Sequence, residues 1–217
     1  MKKLILCLML IVPGSLMAQF GIKAGINFAN VTKASSINNS SRTGWHAGVF
    51  LAPPSQGVIG SRTELIYSRQ GYDYKTGTNT GNVNLDYIMM PQYMTINITK
   101  YFSIMLGAQI AYLLNAKVDS SSSPGTGTPY DGLMKLYNRF DYGYGGGIEV
   151  HPVAGLLLGA RVNISLSKLY DPGAYDGSTG EPSFIPKVDV KNNVFQIYVG
   201  WRFGKQNESK KRQQQDQ

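Results

Sequence analysis

The sequence predicts an all-β fold: an eight-stranded antiparallel up-and-down transmembrane β-barrel. Three observations predict it. Apolar and polar residues alternate over long stretches, there are eight such stretches, and the connections between them alternate between short and long. A period of two places successive side chains on opposite faces of a strand. Stretches of about ten residues or more with one apolar face are typical of strands that cross a bilayer.

The first eighteen residues predict a secretory signal peptide. Lys2 and Lys3 precede an apolar run that starts at Leu4, and the small residue Ala18 stands before the expected cleavage site at Gln19. The apolar run is far shorter than the roughly twenty residues that a membrane-spanning helix needs. The sole cysteine, Cys7, lies inside this segment, so the processed chain would have no thiol, disulfide or cysteine metal site.

The expected domain organisation is therefore a signal peptide over 1–18, one outer-membrane barrel domain over 19–203, and a polar, basic tail over 204–217 that we expect to be disordered. The formal net charge is +8, and without Lys2 and Lys3 there remain 19 basic against 13 acidic residues. The basic residues form no stripe with interleaved aromatics, so no nucleic-acid partner is expected.

The first four predicted strands are 20–30, 43–52, 58–72 and 84–97, and the last four are 102–115, 140–150, 156–167 and 192–203. Strand four is the least regular, because both of its faces are apolar in the middle and Pro91 removes a hydrogen-bond donor.

The connections after strands two, four and six are short (53–57, 98–101 and 152–155), whereas those after strands one, three, five and seven are long and polar (31–42, 73–82, 118–139 and 171–189). Short turns at one rim and long loops at the other are typical of the periplasmic and extracellular ends of an outer-membrane barrel. We expect loops 117–139 and 170–190 to be the surface for an extracellular or envelope protein partner.

Four segments resemble a known family: "ELIYSRQG" (64–71), "LDYIMMP" (85–91), "FSIMLGAQIAYLL" (102–114) and "NRFDYGYGGGIEV" (138–150). They are similar to the small outer-membrane β-barrel proteins of the Bacteroidetes, often labelled porin-family or PorT-like. The resemblance implies an outer-membrane address, contact with outer-membrane lipid and insertion by the barrel-assembly machinery. Members commonly end on an aromatic residue, whereas here Phe203 is followed by fourteen further residues.

Charged residues on the predicted inward face form the candidate site. We expect a structural polar network in the lumen made by Lys23, Arg62, Glu64, Asp141, Glu149, Arg161 and Arg202. Because an eight-stranded barrel is just wide enough for its own side chains, these charges should be paired or solvated. Aromatic residues near the strand ends are expected to lie at the membrane interfaces, namely Phe102, Tyr142, Tyr170, Trp201 and Phe203.

Two functions from different classes fit these patterns. The first is an outer-membrane barrel with a structural or surface-interaction role and a filled lumen. The second is a secreted, lipocalin-like carrier of an apolar ligand, which would need apolar side chains inside and polar ones outside. A narrow pore or an enzyme at the rim is a weaker alternative. His46 and His151 are expected near opposite rims, so the sequence predicts no metal, no cofactor and no catalytic site.

Overall fold

The computed structural model describes residues 19–31, 40–53, 57–76, 79–120, 137–170 and 191–203. The predicted signal peptide, the predicted tail and most of the loops after strands one, five and seven lie outside these ranges, so those expectations stay predictions. No helix within the described ranges is long and apolar enough to cross a membrane.

Eight antiparallel strands close into a barrel, as the sequence predicts. The first four are β1 (Gln19–Val31), β2 (Ser40–Ala52), β3 (Ile59–Thr76) and β4 (Asn79–Asn97), and the last four are β5 (Phe102–Ser120), β6 (Phe140–Val150), β7 (Leu156–Ser165) and β8 (Asn192–Arg202). Each strand pairs with its neighbours in sequence, and β1 pairs with β8 to close the ring. Closure leaves no unpaired sheet edge, which a strand in hydrocarbon could not tolerate.

Over most of the barrel, the outward faces of the strands are apolar and the inward faces are buried. On β8, Gln196 and Tyr198 are buried, whereas Ile197 and Val199 between them are 45% and 48% exposed. Exposed Leu, Ile, Val and aromatic side chains recur in this way around the barrel. A closed barrel with this outer surface is suited to lipid, because apolar side chains in water would carry a hydrophobic cost.

The two ends of the barrel differ in their connections. Short connections follow β2, β4 and β6, and we call this end of the barrel the turn end; the opposite rim is the loop end. In the turn after β6, Gly155 has a φ of +88°, a conformation that glycine adopts without steric cost. The backbone N–H of His151 donates to the carbonyl of Tyr101, 2.8 Å away, and so ties two turns together.

The predicted long loop over 73–82 is wrong. β3 and β4 continue through it as a hairpin, and Thr76 pairs with Asn79. Similarly, β5 extends to Ser120, beyond the start of the loop predicted over 117–139. Alternation persists in these segments, because Tyr72, Tyr74 and Val83 still point inward and are buried. Of the residues that suggested a loop, Thr80 is exposed on the outward face, whereas Gly81 faces inward, where an added Cβ would lie 2.6 Å from the Tyr74 hydroxyl oxygen.

As a result, β3, β4 and β5 have 18, 19 and 19 residues, whereas the other strands have 10 to 13. The register of the β4–β5 pair shifts by one residue beside Asp86 and Tyr87. This shift lets Leu113 and Ala116 both face the interior although they are three residues apart. The three long strands therefore form one extended wall at the loop end.

Candidate functional site

A cluster of buried charges fills the lumen in the half nearer the turn end. Glu64 of β3 accepts hydrogen bonds from Lys23 Nζ, 2.9 Å from Oε2, and from Arg161 Nη1, 2.7 Å from the same oxygen. The side chains of all three residues are fully buried. β1, β3 and β7 supply these groups from different sides of the ring, so the ion pairs span the bore.

A second carboxylate joins the cluster through Arg62. The guanidinium of Arg62 binds both oxygens of Glu149, with Nη2 2.7 Å from Oε2, and its Nη1 lies 3.8 Å from Glu64 Oε1. The hydroxyl of Tyr198 donates to Glu149 Oε1 at 2.9 Å. We call Lys23, Arg62, Glu64, Glu149 and Arg161 the charged cluster; it has three basic and two acidic groups.

Aromatic rings pack against the cations of the charged cluster. Lys23 Nζ lies 3.8 Å from the centroid of the Tyr198 ring, and the Arg62 guanidinium lies 4.8 Å from that of Phe50. Such contacts stabilise a desolvated cation. Gly159 makes room for Tyr198, because a Cβ at that position would lie 2.3 Å from Tyr198 Cζ.

A layer of amide and hydroxyl groups lies beside the charged cluster, toward the loop end. Asn27 Nδ2 donates to Ser68 Oγ at 3.0 Å, and Asn27 Oδ1 accepts from Gln196 Nε2 at 2.7 Å and from His46 Nδ1 at 2.7 Å. Gln196 Oε1 in turn accepts from Asn163 and from Arg161 Nε. We call Asn27, His46, Ser68, Asn163 and Gln196 the amide layer. Sequence reasoning did not assign these five residues to the site, although their inward alternation would have identified them.

Asp141 and Arg202 do not join the charged cluster, although the sequence grouped them with it. The buried carboxylate of Asp141 accepts hydrogen bonds from Ser165 and Ser167 on the neighbouring wall. Arg202 is half-buried at the turn end and forms no ion pair within the described part of the chain. Their positions explain this difference, because Asp141 begins β6 at the loop end whereas Arg202 ends β8 at the turn end.

Most of the predicted interfacial aromatics lie near strand ends. Tyr142, Trp201 and Phe203 are exposed on the outer surface, and Phe102 is half-buried. The ring of Phe203 stacks on Phe20 at 5.9 Å, and its backbone N–H donates to the Phe20 carbonyl.

Tyr170 is an exception, and its predicted place at the interface is wrong. Its ring packs against buried residues at the loop end, 4.9 Å from the ring of Tyr137, and its hydroxyl bonds to that of Tyr72. Tyr170 lies beyond the end of β7 at Ser165 and is only partly exposed, so it does not continue the outward face of that strand. Instead, its backbone forms an isolated bridge with Tyr137.

A large part of the interior at the loop end is apolar, which the sequence reading missed. A cluster of buried residues lines the inner side of the extended wall and adjoining segments: Val31, Ile66, Tyr72, Tyr74, Val83, Leu85, Tyr87, Met89, Ala111, Leu113, Ala116, Val118, Tyr137 and Leu169. We call it the loop-end cluster. The sequence signal for this cluster was the presence of apolar residues on both faces of strand four. One face contacts lipid, and the other packs into the loop-end cluster.

The two histidines lie apart, but they are not near opposite rims as the sequence predicts, because only His151 lies near a rim. His46 belongs to the amide layer, and His151 is half-buried in the turn after β6. Burial lowers the pKa of His151 below its usual value. Its Nε2 lies 3.3 Å from Ser103 Oγ and 3.8 Å from Glu149 Oε2. A nucleophile and an orienting carboxylate would contact opposite ring nitrogens, so this arrangement differs from a catalytic triad. No group of three or more potential metal ligands occurs among the described residues.

A closed antiparallel barrel with an apolar outside and a charged inside defines an integral β-barrel protein of a membrane. A family model described as "Outer membrane protein beta-barrel domain" matches residues 13–171, so the chain belongs to this family of outer-membrane proteins. The curated proteins compared with the chain include no match.

Solved structures of small outer-membrane barrels share the fold. Ail, the attachment invasion locus protein of Yersinia pestis, is 18% identical, with a TM-score of 0.50 over 87% of this chain and 100% of its own. Neisserial surface protein A is 16% identical, with a TM-score of 0.50 over 85% of this chain and 97% of its own. At these identities the likeness supports the architecture alone.

Proposed function

We propose that the protein is a surface barrel of the outer membrane that acts through contacts of its loops, without catalysis and without passing solutes through its lumen. The observation that carries the proposal is the filled interior. Arg62, Arg161, Tyr93 and Phe50 are at most 1% exposed and lie in the bore with the charged cluster. Barrels that form wide aqueous channels have about sixteen strands or more, whereas eight strands enclose little more than their side chains.

The outward face argues against the secreted carrier. Trp45, Leu65 and Ile197 are each more than 40% exposed on the outside, while the ion pairs lie inside. A carrier for an apolar ligand requires the reverse. A signal peptide over 1–18 and insertion by the barrel-assembly machinery are part of the proposal, together with the finer resemblance to PorT-like proteins of the Bacteroidetes.

The loops are the proposed recognition surface. The ranges 117–139 and 170–190 fall mainly on residues outside the described part of the chain, and the support for them is their length, their polar composition and their place at one rim. Ail is titled an attachment invasion locus protein, which gives an example of a surface role on this architecture. The partner that we propose is a protein outside the cell or in the envelope.

Conductance in planar bilayers tests the filled lumen. We expect the purified protein to give no stable single-channel steps. A Tyr93→Ala/Tyr198→Ala variant serves as the control, because it removes two buried rings from the bore and should give small, measurable currents if it folds. Steady steps of porin size from the unmodified protein would contradict the proposal.

Labelling of intact cells tests the orientation of the barrel. A Ser122→Cys variant in the proposed outer loop should react with a membrane-impermeant thiol reagent on intact cells. A Ser55→Cys variant in the turn after β2 is the matched control, and it should react only after the cells are permeabilised. The opposite pattern would place the loops on the periplasmic side and refute their role in external contacts.

A further inference from the structure

The lipid-facing surface near the turn end is apolar on every strand except two. In this half of the barrel the outward residues of β1, β2 and β5 to β8 are aliphatic, aromatic, Gly or Ala. On β3 and β4, by contrast, Ser61, Thr63 and Gln92 are exposed on the same face. We call these three residues the polar patch. Among the described outward residues of this half they are the only polar side chains without an aromatic ring.

The polar patch lies inside the apolar belt and not at its margin. Thr63 pairs with Gln92 across the β3–β4 ladder, and Ile59 and Ile96 pair nearer the turn end. Leu65, Met90 and Met94 surround the patch and are 45% to 49% exposed. Polar side chains at such a depth cost free energy unless they are satisfied, and in membrane proteins they usually mark functional contacts.

Hydrogen bonding within the chain satisfies only part of the polar patch. The Thr63 hydroxyl donates to Gln92 Oε1. Gln92 Nε2 has two further N–H donors, and no partner for them lies in the described ranges. Pro91, beside Gln92, cannot donate to the ladder, and the β3–β4 pairing is interrupted between Thr63 and Ile66. At the polar patch, the outer surface of β3 and β4 is therefore polar, and the two strands are joined by fewer backbone hydrogen bonds than elsewhere.

The surface around Gln92 is also hollow. An open groove of about 600 Å³ runs over β4, lined by Pro53, Ile59, Gly60, Ser61, Gln92, Tyr93, Met94, Leu106 and Gly107. The cross-strand neighbours of Gln92 are small: Thr63 on one side and Ala108 on the other. Small residues beside a polar one allow two membrane segments to approach closely and to hydrogen-bond.

We propose that the polar patch is the interface of a symmetric dimer of this chain within the membrane. A primary amide has both a donor and an acceptor, so Gln92 can pair with its own copy across a two-fold axis. Ser61 and Thr63 add hydroxyls that also serve as both donor and acceptor. Lipid chains offer no acceptor to the Nε2 donors at this depth, whereas a second copy offers the same oxygens in return.

Dilution of the full-length protein in lipid vesicles, followed by energy transfer between labelled copies, tests the proposal. The wild-type protein should dimerise. Gln92→Leu should weaken dimerisation about tenfold, the effect of losing two hydrogen bonds of the strength usual between membrane segments. Ile197→Leu, an outward change on β8 in the opposite wall, should leave dimerisation unchanged. Gln92→Leu replaces a polar group by an apolar one facing lipid, so it should fold, which heat-dependent gel migration checks.

Cross-linking provides the second measurement. In a Cys7→Ser background, Ser61→Cys should be joined to its copy by a short thiol cross-linker, whereas Ala160→Cys, a small outward residue on the opposite wall, should not. Three results would overturn the proposal: a wild-type protein that stays monomeric, a Gln92→Leu variant that dimerises like wild type, or equal cross-linking from residues 61 and 160.

Discussion

The interior near the turn end and the interior near the loop end are both buried, yet opposite kinds of side chain fill them. Near the turn end, Glu64 and Glu149 hold three cations in the charged cluster. Near the loop end, the buried side chains are chiefly aliphatic and tyrosine, as in the core of a soluble protein.

The difference shows that one barrel can be filled by two physical strategies. In the membrane-spanning part, specific ion pairs fix the strands that carry them relative to one another. Removing one partner of such a pair lowers the free energy of unfolding strongly, because the other charge stays buried without a partner. At the loop end, where β3 to β5 are longest, apolar packing stabilises the extended wall without such specificity. The two halves should therefore respond differently to substitution.

The largest expected effect is at Glu64. Glu64→Leu removes the carboxylate that holds Lys23 and Arg161 and leaves both cations buried, which should lower the free energy of unfolding by roughly 3–5 kcal/mol. Denaturant unfolding in lipid vesicles measures it. A triple variant, Lys23→Met/Glu64→Leu/Arg161→Met, leaves the balanced Arg62–Glu149 pair and should recover much of the loss. A stable Glu64→Leu protein would mean that water reaches the charged cluster.

Leu85→Ala tests the apolar half. Leu85 is fully buried in the loop-end cluster, so the cavity should cost about 2–5 kcal/mol in the same unfolding measurement. Leu65→Ala is the matched control, since Leu65 is 49% exposed toward lipid on the neighbouring strand and its truncation leaves no enclosed cavity. Equal losses at both positions would show that the loop-end interior is not tightly packed.

Removal of single hydroxyls compares the two halves directly. Tyr198→Phe deletes a hydrogen bond to the Glu149 carboxylate, 2.9 Å long, and should cost about 1.5–3 kcal/mol, as is usual for bonds to a charged group. Tyr72→Phe deletes a bond between two neutral phenols and should cost about 0.5–1.5 kcal/mol. A larger loss of unfolding free energy in Tyr72→Phe than in Tyr198→Phe would contradict the contrast between a charged and an apolar half.

The smallest effect is expected at the rim. Arg42 Nη1 lies 2.7 Å from Asp73 Oδ1 at the loop end, where the two side chains are 28% and 42% exposed. Asp73→Asn should lower the unfolding free energy by less than about 1 kcal/mol, because solvent screens an exposed pair. The difference in unfolding free energy from wild type should vanish in high salt. A loss as large as that of Glu64→Leu would show that solvent exposure does not weaken the Arg42–Asp73 pair relative to the buried pairs of Glu64.

The sequence by itself determined the number of strands, their antiparallel order and the side that faces lipid in every strand except the fourth, whose two faces are both apolar in the middle. These features follow from the local alternation of apolar and polar residues and from the alternating length of the connections. The same pattern gives the inward direction of five charged residues, because a period of two places them on the face opposite the apolar residues of their strands. These residues are Lys23, Arg62, Glu64, Glu149 and Arg161.

Tertiary structure alone decided which inward groups meet. Glu64 binds Lys23 and Arg161 because ring closure and strand stagger bring β1, β3 and β7 to one level, and neither quantity appears in any single strand. Asp141 and Arg202, by contrast, lie apart because they stand at opposite ends of their strands, and Tyr170 is partly buried against the loop-end cluster beyond the end of β7. The loop-end cluster had one local signal, the apolar residues on both faces of strand four, but the sequence did not show which of them point inward, since an apolar inward side chain and an apolar lipid-facing one have the same sequence signature.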